Sequence, residues 1–145
     1  MEPNATQVGL GGALRRAWVG YQRRLDQALA DAGFGERRFP DGRVLRICSQ
    51  PTAITISRIG RELAITRQGA GKIVASLRDR GYVIVTASQA DGREKIVTLT
   101  PRAVDYLAAQ RAAVRRIERQ LRTELGAEGF DSGCCKPSAG TSNPG

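Results

Sequence analysis

Apolar residues recur at three- and four-residue steps along the first part of the chain. Leu10, Leu14, Trp18, Tyr21, Leu25, Ala28 and Leu29 form the stripe, and Arg15, Arg16, Arg23, Arg24 and Asp26 fall off it. This spacing predicts a helix over 10–33, ended by Gly33 and Gly35. After a Pro40-Asp41-Gly42 turn, Val44, Leu45, Ile47 and Cys48 predict a short second helix that Pro51 stops. Thr55 is placed to cap a third helix through Ile56, Ile59 and Leu63, and Thr66 a fourth that runs to about Arg80. Ala70, Ile73, Val74 and Leu77 give the fourth an apolar face, and Gly81 closes it. Two helices joined by Ala64-Ile65-Thr66 outline a helix-turn-helix.

The period then changes from 3.6 to 2. Residues 83–87 and 96–100 are β-branched runs with Asp91-Gly92 between them, a strong hairpin signal. Pro101 suits the first turn of another helix. That helix, 102–125, carries Val104, Leu107, Val114, Ile117, Leu121 and Leu125 near a heptad seam flanked by Arg and Glu. The expected fold is mainly α with a small β-hairpin wing. Residues 1–9 are expected to be a flexible N-terminus, 10–125 one domain and 126–145 a disordered tail, because Phe130 is the sole Leu, Ile, Val or Phe after Leu125.

Charge adds the first functional information. Twenty-three basic against fourteen acidic residues leave +9, carried mostly by arginine. Such a balance points to nucleic acid first and anionic membrane second. The longest stretch without a charged residue, 3–14, is shorter than the roughly 20 apolar residues of a membrane helix. No Lys or Arg precedes Arg15, so a secretory signal is not expected, and three cysteines at 48, 134 and 135 offer no disulfide framework. A cytoplasmic protein is the expectation. The chain has no histidine, which removes the commonest general base and zinc ligand together. With no Gly-rich phosphate loop either, neither an enzyme nor a metal or other cofactor is expected.

The fourth helix offers the candidate chemistry. With its apolar face inward, Gln68, Lys72, Ala75 and Asp79 centre the opposite face, flanked by Gly69, Gly71 and Ser76, with Arg67 at the start. A major groove admits one such helix, in which Gln matches adenine and Lys matches guanine. Thr66 and the free N–H groups of the first turn suit a phosphate. The two glycines weaken the helix, and close approach to another surface is a reason to bear that cost. The hairpin places Arg93 at or beside its tip, where it suits a narrow minor groove.

The stretches Leu63-Ala64-Ile65-Thr66-Arg67-Gln68, Leu77-Arg78-Asp79-Arg80-Gly81-Tyr82-Val83, Asp91-Gly92-Arg93 and Val97-Thr98-Leu99-Thr100-Pro101 resemble the MarR family, the multiple-antibiotic-resistance regulators. The resemblance covers roughly 10–125. It implies a winged helix-turn-helix with a DNA-binding core over 40–100, paired as a homodimer through terminal helices 10–33 and 102–125. It further implies binding to palindromic double-stranded DNA (an inverted repeat) and release by a small aromatic or phenolic effector. Matched position by position, it suggests Thr66, Arg67, Gln68, Lys72 and Ser76 for the major groove and Arg93 for the minor groove. Leu10, Leu14, Leu25, Leu107, Val114 and Leu121, on the apolar stripes of the two long helices, are the expected dimerisation residues. Arg15, Arg16, Arg43 and Arg46 fall in segments near the implied effector pocket.

Three departures from the family pattern stand out. Ala64 occupies a turn position usually held by glycine. The first helix has no cysteine where oxidant-sensing members carry theirs, and Cys48 reads as a small buried hydrophobe. The final helix that usually completes the dimer interface is expected to be missing, because the sequence turns into Gly133-Cys134-Cys135-Lys136-Pro137. The cysteines of that tail are expected to cross-link adventitiously. A ligand-responsive repressor is the leading expectation, with a non-specific architectural DNA-binding protein as the alternative.

Overall fold

The computed structural model describes residues 9–38 and 40–126. The expectations for residues 1–8, for the tail and its missing helix, and for Cys134 and Cys135 lie outside the described residues. The elements run α1 (Leu10–Asp31), α2 (Asp41–Cys48), α3 (Ile56–Leu63), α4 (Arg67–Asp79), β1 (Val83–Ala87), β2 (Lys95–Leu99) and α5 (Pro101–Leu125).

Three threonines start three helices by the same device. The side chains of Thr55, Thr66 and Thr100 accept hydrogen bonds from the backbone N–H groups of Arg58, Gly69 and Ala103, filling donors the first turn leaves free. Pro101 sits at the first position of α5, where its missing N–H costs nothing. α1 stops at Asp31, slightly earlier than its periodicity suggests, because Gly33 turns the chain at φ +90°.

α3 and α4 pack through a turn in which Ala64 adopts the left-handed conformation, φ 55° and ψ 43°. The Ile65 N–H reaches back to the Gly60 carbonyl at 2.9 Å, satisfying an end group of α3. Gly60 is where the helices touch: a Cβ there would lie 3.1 Å from the Ile65 carbonyl oxygen. Below them Leu29, Val44, Leu45, Ile59, Ala70, Val74, Leu77, Tyr82 and Tyr106 close a shared core.

The hairpin pairs Val83 with Leu99 through Ala87 with Lys95. Its connection is not a tight Asp-Gly turn. Gly92 does not take the positive φ that a type I′ turn demands. Asp91 organises the loop instead, its side chain accepting from the Arg93 N–H and its carbonyl from the Glu94 N–H. The wing is also tied to the helical body, since Val97 N–H donates to the Ile54 carbonyl at 2.8 Å.

α5 returns to pack along α1. Burial separates the six expected dimerisation positions. Leu25 is 4% exposed and Leu107 5%, so both belong to the chain's own core and present little to a second chain. Val114 and Leu121 are partly buried against that core. Leu10 and Leu14, by contrast, are 77% and 62% exposed. Among the described residues nothing buries the first turns of α1.

Candidate nucleic-acid interface

α4 faces outward along Gln68 and Lys72. Both are exposed, and neither has a hydrogen-bond or ion-pair partner among the described residues. Their spacing of four residues puts them one above the other on a helix. Thr66 is exposed but already uses its hydroxyl oxygen on the Gly69 N–H, at 3.0 Å, so its cap precedes any phosphate contact.

Arg67 has a role the sequence did not reveal. Its Nη2 donates to the carbonyl oxygen of Arg93 at 2.9 Å, joining the start of α4 to the wing. Arg93 keeps its own guanidinium exposed and without a partner among the described residues. A second tie lies behind the wing, where the Ser57 hydroxyl donates to Glu94 Oε1 at 2.9 Å. Glu94 Oε2 is buried without a partner. The two ties fix the orientation in which Arg93 projects relative to α4. Neither leaves a periodic signal, because the joined residues lie 26 and 37 positions apart.

Ser76 is less open than Gln68 and Lys72. It is half-buried, and its hydroxyl accepts from Arg80 Nη2 at 3.2 Å. Arg80 in turn holds Asp41, at 2.6 and 3.0 Å through both carboxylate oxygens. Asp41 is 4% exposed, so this bidentate pair lies in the interior between α2 and the end of α4. It is complemented outside by Glu36, which accepts from the Tyr82 hydroxyl at 2.7 Å and pairs with Arg102. The Tyr82 hydrogen bond foremost, then the backbone and Arg102, hold the Glu36 carboxyl down to about 2.

A cleft of about 350 Å³ opens between α1, α2 and α5. Trp18 and Tyr21, stacked at 5.8 Å, line it with Arg37, Arg43, Arg46 and Gln110. Arg43 and Arg46 are therefore at this cleft, whereas Arg15 and Arg16 do not line it. Arg37 pairs with Asp26. Its Nε and the nearby Tyr106 hydroxyl are buried without hydrogen-bond partners among the described residues. Cys48 is buried and its thiol is pushed up to about 12 by loss of solvent, so it carries no thiolate near neutral pH. No group of three or more Cys, Asp or Glu among the described residues is arranged to hold a metal, and no described helix is long and apolar enough to cross a membrane.

Residues 42–94, which span α2 to the wing, match the model of the MarR family. No curated protein sequence matches the chain. Among solved structures, the transcriptional repressor CouR bound to a 23-mer DNA duplex superposes with a TM-score of 0.72 at 25% identity, covering 91% of this chain and 93% of that one. The PcaV transcriptional regulator from Streptomyces coelicolor, in complex with its natural ligand, shares the fold with a TM-score of 0.67 at 17% identity, covering 91% of each chain. A MarR family protein from Mycobacterium tuberculosis does so with a TM-score of 0.60 at 23% identity, covering 88% and 90%. Residues 42–94 thus match the MarR family, and the chain around them has the winged helix-turn-helix fold of the transcriptional repressor CouR.

Proposed function

We propose that the protein is a cytoplasmic, sequence-specific repressor that binds an inverted repeat as a homodimer and is released by a small aromatic or phenolic anion. One observation carries the DNA part. Among the described residues Gln68 and Lys72 have no partner on their face of α4, nor has the Arg93 guanidinium on the wing that Arg67 ties to that helix. Such a unit can present a helix to the major groove and an arginine to the neighbouring minor groove at once. CouR, of the same fold, is a repressor bound to DNA.

The dimer is supported by the start of α1, which no described residue covers. Leu10, Leu14 and Trp18, with Leu125 at the far end of α5, expose a large apolar area that water disfavours. Two chains joined there would set their α4 helices about one DNA turn apart, roughly 34–36 Å. The effector part rests on the cleft, whose stacked aromatic pair and Arg37, Arg43 and Arg46 suit a flat anion. A ligand releases DNA only by binding the DNA-incompetent arrangement better.

Substitution separates helix from wing. Gln68→Ala or Lys72→Ala should relax base preference at a cost of about 1–3 kcal/mol. Arg93→Ala should weaken binding most at A·T-rich flanks and lower the salt slope by about one. An Arg93→Ala protein with unchanged affinity and salt dependence would take the wing out of the groove. Titration of the bound complex with aromatic carboxylates and phenols tests the effector, and a panel that never shifts DNA affinity would leave a constitutive binder.

A further inference from the structure

A hollow on the outward side of the helix-turn-helix is walled by Ile56, at the first turn of α3, and by Arg67, Gln68 and Gly71 of α4. Gly71 is not required by the fold. A Cβ built on it meets nothing within 4 Å, yet glycine weakens a helix interior relative to alanine. Gly60 has a packing reason inside the molecule, whereas the space beside Gly71 opens outward onto the face that carries Gln68 and Lys72.

The chemistry of the hollow is mixed in a specific way. Ile56 gives it an apolar wall, and Gln68 brings an amide to its edge. An A·T pair displays the matching pattern on its major-groove edge. Adenine offers N7 and N6 to a bidentate Gln, and its partner thymine carries a C5 methyl group beside them. We infer that Gly71 is a specificity-determining position, admitting a thymine methyl into the hollow against Ile56 while Gln68 hydrogen-bonds adenine. This rests on the reading above, in which α4 occupies the major groove. A methyl group at position 71 would fill the space the thymine methyl needs.

The test begins by selecting a binding site from a random duplex pool with the full chain. Each thymine of the selected half-site is then replaced by deoxyuridine, which removes the methyl group alone. One position in each half-site should lose affinity about fourfold, the worth of one buried methyl. Gly71→Ala should bind the thymine duplex about tenfold more weakly and show almost no further loss from deoxyuridine at that position. The same variant should melt at a higher temperature than the wild type, which separates the DNA effect from any folding defect. A Gly71→Ala protein that retains wild-type affinity, or that keeps the full deoxyuridine penalty while weakening on every duplex, overturns the methyl site and leaves specific DNA binding standing. A pool that yields no enriched sequence overturns the DNA reading and this inference with it.

Discussion

Ala64 sits in a backbone conformation that costs an L-residue roughly 1–2 kcal/mol. Glycine would relieve that strain and give back part of the gain through its freer unfolded chain. Ala64→Gly should therefore raise stability by about 0.5–1 kcal/mol, read as a higher urea midpoint at constant slope. Gly60→Ala should do the opposite, because the Ile65 carbonyl stands 3.1 Å from the new methyl. Arg67 predicts a different kind of result. If it acts by holding the Arg93 carbonyl, Arg67→Ala and Arg93→Ala should be markedly less than additive in DNA affinity, and full additivity would return Arg67 to an independent groove contact. The caps were readable in the sequence because they are local: Thr55 and Thr66 each serve an N–H three residues on. The tie from Ser76 through Arg80 to Asp41 was not readable, because Asp41 lies 39 residues before Arg80. Leu25 and Leu107 carried the same spacing as Leu14, and periodicity cannot tell a stripe that meets its own chain from one that awaits another.

Between elements, the buried ion pair matters most. Asp41 opens α2 and Arg80 closes α4, so their bidentate contact joins the cleft-bearing helix to the end of the recognition helix. Removing one partner of such a pair strands the other charge, and Asp41→Ala should cost about 3 kcal/mol in denaturant unfolding. Glu36 adds a pH signature. Its carboxyl is held at about 2 against an ordinary 4.5, so its contribution is complete above pH 4.5 and fades as pH falls from there toward 2. Unfolding measured down that window should show stability dropping, and Glu36→Gln should flatten part of the drop. An unchanged profile in Glu36→Gln would mean the Tyr82 and Arg102 contacts do not favour the ionised form. All seven elements were legible from period, caps and breakers, while the contacts that fix them to one another were not. Glu36 with Arg102 and Ser57 with Glu94 are pairs separated by 66 and 37 residues, for which a single sequence carries no local mark. The hairpin was visible but the form of its loop was not, because Asp91 closes it by side-chain hydrogen bonding without a positive φ at Gly92.

At the scale of the whole molecule, the described residues leave one end of α1 exposed. Leu14, 62% exposed, makes no contribution to the core, so Leu14→Glu should leave the folded chain intact by circular dichroism while shifting sedimentation from dimer to monomer. A persistent dimer would place the interface elsewhere. A chain truncated after Leu125 should still be dimeric under reducing conditions, and a monomer would assign the interface to the segment beyond. A +9 net charge favours any duplex, so affinity alone cannot establish a regulator. The decisive measurement is a titration of the protein against its own upstream DNA and a scrambled duplex of equal length, at about 0.15 M salt. A preference of about a thousandfold or more for the upstream DNA is the expected result, and equal affinity for the two duplexes would contradict sequence-specific regulation and leave a basic winged protein that coats DNA.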